Sequence, residues 1–444
     1  MNATSANVSS TLFKFFNETA IKHQLMLVKR QRKFDGPLFL KTNVFSFLQK
    51  EHPSLSEIVQ VASALGLSIS EQGMDKRYDE NAFKFLEAVF YEGAQKLLKS
   101  KVKVDLELLF KFNGVFICDT SIIDLPDYFH KMFPGLADKV NLKKSAIKLD
   151  TSIELLQGNL KINITDGIVA DNKTDSAVEL GKPGSLQLRD LGYFDLSRKL
   201  KQVKNDVYFV SKYKSGVKLY GENGNEIDLL ELLKKLKNKK HSNYEIVAYA
   251  GKAERVPVRV ILHKIEDDKA IKKKQKRSKR KSKKNKSKQT KLSKALGEWS
   301  VLITNVSKET LNGKECYDVY RMRWQIELIF KLWKDYCKVD ESNSKNPWRI
   351  LCEVYAKLIG VLVQHWITLN GQWQRKNKSY KKGFQAVRLR ANELLLAIES
   401  GKLKYLEIFL GKLKTSFKNG CSQNSRKKHP NAYKNMAICK RRAS

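Results

Sequence analysis

Residues 320–334 read YRMRWQIELIFKLWK, and this stretch decides how the rest of the chain is interpreted. If it forms one helix at about 100° per residue, a phenol, a carboxylate and three cations share one face. These residues are Tyr320, Arg323, Glu327, Lys331 and Lys334. The opposite face is apolar and predicts packing against a core. Two interpretations follow: an ordinary amphipathic helix with a Glu327–Lys331 pair, or a metal-binding carboxylate beside phosphate-binding cations.

The spacing of four of these residues favours the second interpretation. It is Y-(2)-R-(3)-E-(6)-K, and the residues are Tyr320, Arg323, Glu327 and Lys334. With this spacing the chain resembles the DDE transposases of bacterial insertion sequences, specifically the insertion sequence 4 family, from about residue 40 to about residue 370. The resemblance implies that Glu327 is a catalytic acid and metal ligand. It also implies that DNA phosphates are bound by Tyr320, Arg323, Lys331 and Lys334.

The same family has two upstream aspartates, each at the tip of a strand. An apolar-D-[GT]-[ST] context is supplied by VFICDTS, which contains Asp119, and a D-x-G-Y-F context by RDLGYFD, which contains Asp190. The apolar run 115–118 and the strand-like segment 185–188 predict the two strands. The resemblance therefore implies that Asp119 and Asp190 complete the catalytic, metal-binding set with Glu327. Asp195, further along, is predicted to begin a helix, where a negative charge is favourable.

Three carboxylates are suited to cutting a phosphodiester. Two hard cations about 4 Å apart can stabilise the attacking and the leaving oxygen of an in-line displacement. Mg²⁺ prefers carboxylate oxygens and water, so two Asp and one Glu suffice without His or Cys. We therefore expect two Mg²⁺ ions, with Mn²⁺ as a possible substitute. The sequence has no P-loop pattern, and phosphoryl transfer between DNA strands needs no ATP.

Trp299 begins a predicted strand upstream of the 320–334 stretch. In relatives that cut through a DNA hairpin, a similarly placed tryptophan stacks on a flipped base, so the resemblance implies this role for Trp299. Stacking on an indole contributes about 1–3 kcal/mol per base. Packing of Trp299 in the core is the alternative.

Composition indicates a nucleic-acid partner. The chain has 444 residues and a formal net charge of +39, from 85 Lys and Arg against 46 Asp and Glu. Such an excess indicates a polyanion, with nucleic acid first and an anionic membrane surface second. A hydrophobic content of 42% excludes wholesale disorder. Six scattered cysteines without a CxxC pair argue against a disulfide framework or a zinc ribbon and favour a reducing cytosol.

The resemblance implies an α/β fold class: a ribonuclease-H-like catalytic core with a β-rich insertion, flanked by N-terminal and C-terminal helical regions. Residues 190–327 are too many for a bare core of this kind, and members of the family have a β-rich insertion there. It contains a basic arm, 272–291, with 13 Lys or Arg and no acid, which predicts phosphate contacts. One long helix is expected from about residue 315 to 336, and the apolar stretch 351–369 is expected to be a core helix because it contains three ionisable groups. The expected domains are 1–104, helical and DNA-binding; 105–199, first part of the core; 200–298, insertion; 299–370, second part of the core; and 371–444, a basic helical region.

The predicted function is Mg²⁺-dependent cleavage at element ends and strand transfer into target DNA, which is cut-and-paste transposition. The expected partner is double-stranded DNA, as terminal inverted repeats and as target, and the resemblance further implies a second copy of the chain in a synaptic homodimer. No membrane and no ATP are expected, and the expected location is the bacterial cytoplasm, associated with the nucleoid. The alternatives are a catalytically silent DNA-binding repressor and a stand-alone DDE-type nuclease. Inverted repeats close to both ends of the reading frame would favour transposition.

Overall fold

A computed structural model describes residues 3–27, 35–95, 107–137, 143–238, 243–265, 291–371 and 378–423. Of the predicted basic arm 272–291, all but Lys291 lies outside the described residues, as does the end of the predicted C-terminal region after residue 423.

The secondary structure alternates between helical and strand-rich segments. The described α-helices are α1 (Ala3–Lys14), α2 (Ala20–Leu27), α3 (Gly36–Gln49), α4 (Leu55–Ala64), α5 (Glu71–Asp75), α6 (Glu80–Ala94), α7 (Glu107–Phe110), α8 (Asp175–Val178), α9 (Leu196–Lys204), α10 (Leu229–Asn238), α11 (Lys291–Ala295), α12 (Gly313–Arg321), α13 (Trp324–Asp335), α14 (Pro347–Gly371), α15 (Tyr380–Arg388), α16 (Ala391–Glu399) and α17 (Leu403–Gly420). The described strands are β1 (Gly114–Leu125), β2 (Ser145–Glu154), β3 (Leu160–Asp166), β4 (Ser185–Arg189), β5 (Tyr208–Lys212), β6 (Leu219–Tyr220), β7 (Asn243–Ala250), β8 (Val256–Lys264) and β9 (Trp299–Thr304). The chain is therefore a mixed α/β protein.

The described residues form two compact units. The helical unit comprises those of Met1–Asp105, Thr120–Val169 and Gln325–Tyr433, and the sheet unit comprises those of Leu106–Asp119 and Ala170–Trp324. Strand β1 passes from the sheet unit to the helical unit after Asp119, and helix α13 does so after Trp324.

The helical unit is organised around α14. This helix packs against α3 and α6, and also against α1, α15 and α17. Within the described part of the chain, its residues Pro347–Leu369 are the one stretch long and apolar enough to cross a membrane, but 94% of the most apolar window is buried. The predicted core helix is thus confirmed, because its apolar surface is covered by neighbouring helices. The unit also contains β2 and β3, which pair antiparallel from Ile147 opposite Asp166 to Ile153 opposite Leu160.

The sheet unit contains a mixed sheet in the order β1-β4-β5-β9-β8-β7-β6. The first three strands are parallel, and the remaining pairs are antiparallel. Strands β6 to β8, which fall in the predicted insertion, continue this sheet through β9. Helix α9 packs against β5 and β8, and Phe209, Val260 and Ile303 contribute to the core between them. Strand β4 lies between β1 and β5 in this sheet, and the candidate site begins at its end.

Candidate active site

Asp119 and Asp190 lie side by side on neighbouring parallel strands. Cys118 of β1 is in register with Arg189 of β4, and the two aspartates are the next residues on each strand. Neighbouring strands are about 4.8 Å apart, so the aspartate backbones are close to each other. The Asp190 side chain is 44% exposed. Both acids were expected at strand tips; this is correct for Asp190, but β1 continues to Leu125, so Asp119 lies within its strand.

Two residues of the Y-(2)-R-(3)-E-(6)-K pattern lie near Asp190 in the sheet unit. The Arg323 side chain is 12% exposed, and its Nε is 3.8 Å from Asp190 Oδ1. The Tyr320 ring is buried, with its centroid 5.9 Å from Arg323 Cζ and 5.8 Å from Lys212 Nζ. This part of the pattern therefore presents cations next to a predicted metal-binding acid.

Sequence reasoning missed Lys212. It is the last residue of β5, which pairs with β4 in parallel. Because parallel strands of one sheet end at the same edge, a cation that ends β5 lies at the edge where Asp190 follows β4. The signal available in the sequence was the strand-like run 206–212 ending in a lysine.

The predicted single helix from about residue 315 to 336 is wrong. Helix α12 ends at Arg321, where the backbone N–H of Met322 donates to the carbonyls of Val319 and Tyr320, and α13 begins at Trp324. The helical wheel therefore holds for α13 but does not extend back to Tyr320. On α13, Ile326 and Trp333 are buried as the apolar face predicted.

Glu327 and Lys334 of the pattern lie on α13 in the helical unit, as does Lys331. Glu327 is half-buried. The Lys331 side chain is 72% exposed, and its Nζ is 3.8 Å from Asp335 Oδ2. The Lys334 side chain is 31% exposed; it donates to the carbonyl of Ile122 and lies 4.0 Å from Asp340 Oδ2. Lys334 therefore anchors α13 to β1, whereas Lys331 faces solvent.

Trp299 is only 2% exposed, and its indole belongs to the core of the sheet unit together with Val301 and Ile303. It begins β9, as expected from the sequence. In this structure its indole is covered by side chains and not presented to a ligand.

The donor set suits a hard divalent cation. Carboxylate oxygens are the ligands that Mg²⁺ prefers, and Asp119 and Asp190 supply them from adjacent strands. Among the described residues, no group of three or more His, Cys, Asp or Glu is assembled closely enough to hold a metal ion. Asp119 and Asp190 are therefore the two neighbouring acids of the sheet unit that could hold such an ion.

The chain matches known transposases over most of its length. Residues 111–362 match the family model described as the transposase DDE domain. The chain is 26% identical to the transposase for insertion sequence element IS231B of Bacillus thuringiensis subsp. berliner, over 79% of this chain and 76% of the relative. It is 28% identical to the IS231C transposase of the same subspecies, over 77% and 74%. It is 25% identical to the IS1151 transposase of Clostridium perfringens, over 78% and 76%.

The sheet edge with paired aspartates and the matched region define an enzyme that cuts and rejoins DNA strands. The chain belongs to the transposase DDE domain family, because the matched residues 111–362 are more than half of its length. The predicted DDE transposase of an insertion sequence is confirmed at this level.

Proposed function

We propose that this transposase cleaves DNA at the ends of its element and joins the freed 3′ ends to target DNA, using Asp119, Asp190 and Glu327 as the acidic residues of one site. The observation that carries the proposal is the register of β1 and β4, which places Asp119 beside Asp190. The proposal adds Glu327 from α13, on the strength of its spacing from Arg323 and Lys334.

The three carboxylates are proposed to hold two Mg²⁺ ions, for which Mn²⁺ can substitute. Bound there, the metal supplies activation of the attacking oxygen and stabilisation of the leaving oxygen of an in-line displacement. No nucleotide hydrolysis is required by this chemistry, so ATP is not a proposed ligand. Three acids close together repel one another, which favours binding of divalent cations.

DNA phosphates are proposed to be held by four side chains around these acids. Arg323 is suited to a bidentate contact, and Lys331 and Lys334 act as point charges. Tyr320 can donate a hydrogen bond through its hydroxyl. The 3.8 Å pair between Arg323 and Asp190 supports a place for this cation at the site. Stacking of Trp299 on a flipped base stays a prediction, and it requires the indole to leave the core.

Finer features of the family are also proposed. We assign the chain to the insertion sequence 4 group because of the Y-(2)-R-(3)-E-(6)-K spacing. We assign its core to the ribonuclease-H-like class, and the parallel strands β1, β4 and β5 support that assignment. The N-terminal helices are proposed to read terminal inverted repeats, and a synaptic homodimer is proposed to hold two DNA ends. The proposed location is the bacterial cytoplasm, on nucleoid DNA.

The test compares the two proposed acids of the sheet unit with a control acid on β1. Asp119→Asn and Asp190→Asn are expected to lower Mg²⁺-dependent cutting of a DNA fragment that carries the element end by more than about 100-fold, since loss of an outer partner of a metal ligand alone costs 10–100-fold. Asp124→Asn is the matched control, because Asp124 is an exposed acid on β1. A second readout is thermal unfolding, in which Mg²⁺ should stabilise wild type and not Asp119→Asn. Equal cutting by all four proteins would contradict the assignment.

A further inference from the structure

A small cavity in the sheet unit lies beside Asp190 and is lined by three cations. Arg189, Arg198 and Lys199 contribute to its wall, together with Asp190 and Asp195. The cavity has room for about one water-sized group. Among the residues that line it, Asp190 has a side chain that is 44% exposed and belongs to the candidate active site.

Each of the two arginines has one buried N–H group that none of its hydrogen bonds uses. Arg189, 8% exposed, donates through its terminal nitrogens to the carbonyls of Ala177, Ser176 and Glu179 at 2.6–2.7 Å. Arg198 donates through Nη2 to the carbonyl of Asn172 at 2.9 Å. Arg189 Nε and Arg198 Nη1 are buried and have no hydrogen-bond partner in the part of the chain that the structure describes. An unsatisfied buried donor is unfavourable, so these two atoms favour an acceptor.

Lys199 is the most unusual of the three cations. It is 7% exposed, and its Nζ lies 4.1 Å from the centroid of the Phe209 ring and 5.2 Å from that of Phe194. The described residues offer it no hydrogen bond and no ion pair. Burial, and then the charges of Arg189 and Arg198, lower the pKa of Lys199 to about 7. A buried charge without a counterion is costly, and an anion against it would remove that cost.

When Lys199 is protonated, the charges around the cavity leave an excess of one positive charge, because three cations face two carboxylates. Both carboxylates have other contacts. Asp195 Oδ1 accepts a hydrogen bond from the backbone N–H of Arg198 at 2.7 Å, and Asp190 faces Arg323 at 3.8 Å. A space the size of one water suits a single anionic oxygen better than a whole polyatomic ion.

We propose that this cavity is a phosphate subsite in which Arg189, Arg198 and Lys199 bind one non-bridging oxygen of a DNA phosphate next to the strand held at Asp190. The inference rests on the proposed function for the source of the phosphate, but the anion site itself stands on the buried cations. It adds three residues of β4 and α9 to the DNA contacts. None of them belongs to the Y-(2)-R-(3)-E-(6)-K pattern.

The first test uses the full chain and duplex DNA that carries the element end. Lys199→Met keeps an unbranched side chain that is one atom shorter and removes its charge. Lys201→Met is the matched control because Lys201 is exposed on the same helix. Lys199→Met should weaken DNA binding about tenfold at low salt and reduce the salt slope by about 1. Single phosphates of the DNA can be replaced by neutral methylphosphonates. At one position this replacement should weaken DNA binding by wild type and should not weaken binding by Lys199→Met any further. If Lys199→Met binds like Lys201→Met, the subsite is wrong.

The second test separates the subsite from the proposed function. Inorganic phosphate should raise the Tm of wild type and of Lys201→Met, and the rise should be at least halved in Lys199→Met and in Arg198→Gln. Lys199→Met removes an unpaired buried charge, so it should be no less stable than wild type without phosphate. Equal rises in all four proteins would overturn the subsite even if wild type cuts DNA. A difference in the rises, with no DNA cutting by wild type, would support the anion site and contradict the proposed function.

Discussion

Replacing Arg189 by methionine should destabilise the sheet unit at the end of β4. Arg189 is buried, and its guanidinium donates to the carbonyls of Ser176, Ala177 and Glu179 at 2.6–2.7 Å. Two of these carbonyls belong to α8, and the last carbonyls of a helix have no donor within the helix. The arginine therefore satisfies three acceptors that nothing in α8 can satisfy.

The expected loss can be worked from these three bonds. Hydrogen bonds to a charged group contribute about 1.5–3 kcal/mol each, and bonds that share one guanidinium are not additive. Because the three bonds are not additive, leaving these buried acceptors without a donor is expected to cost about 3–5 kcal/mol in total. We expect a loss in that range for Arg189→Met, against a total unfolding free energy of about 5–15 kcal/mol for a typical domain.

Amide hydrogen exchange is the suitable assay, because it reports the opening free energy of β4 without requiring the two units to unfold together. In Arg189→Met the amides of β4 and of 175–179 should exchange faster by the factor that corresponds to the lost free energy. Lys182→Met, an exposed change just before β4, should stay within about 0.5 kcal/mol of wild type. A loss below about 1 kcal/mol in Arg189→Met would refute the reasoning.

Two further predictions concern the helical unit. His365 is buried and donates to the carbonyl of Gly158 at 2.9 Å, and burial lowers its pKa from 6.5 to about 4. As pH falls, the histidine is therefore protonated in the unfolded chain before it is protonated in the folded one. About 3 kcal/mol of unfolding free energy should be lost between pH 6.5 and pH 4. Chemical denaturation of His365→Gln should show a correspondingly flatter dependence of stability on pH. Lys334→Met, which loses the bond to Ile122, should destabilise by about 1–2 kcal/mol in urea, whereas Lys331→Met should change stability by less than about 0.5 kcal/mol. Equal losses for the two lysines would contradict the anchoring role of Lys334.

The strands that lead to the aspartates could be predicted because 115–118 is an apolar run that ends at Asp119, and 185–188 is a strand-like segment that ends just before Arg189 and Asp190. Segments 115–118 and 185–188 lie in β1 and β4, and Asp195 accepts from the backbone of Arg198 at the start of α9 as expected. These features depend on residues close together in sequence. The adjacency of Asp119 and Asp190 could be predicted only through the resemblance, because strand pairing over this distance is not encoded in a local period.

The break between α12 and α13 could not be predicted for the same reason. No glycine or proline lies between Tyr320 and Trp324, and the apolar period continues on both sides of the break. The backbone leaves the helix at Met322, where two carbonyls of the last turn accept one N–H. Tertiary packing, which a helical wheel does not contain, decides where the turn falls.

The buried cations beside Asp190 also lay beyond sequence reasoning. Lysines and arginines are normally exposed, so Arg198 and Lys199 in a basic chain suggest a solvated helix face. Their burial results from α9 packing on β5 and β8, which brings Lys199 over the Phe209 ring. Only the pairing of distant strands creates that environment.

The central claim is that Glu327 joins Asp119 and Asp190 in a metal-dependent site for cutting and joining DNA. The most direct measurement is strand cleavage and joining on a fragment that carries the element end, with and without Mg²⁺, for wild type and Glu327→Gln, which keeps the shape and removes the charge. We expect cut and joined products from wild type only when Mg²⁺ is present, and neither product from Glu327→Gln while DNA binding is retained. Metal-independent cutting, or undiminished cutting and joining by Glu327→Gln, would contradict the account.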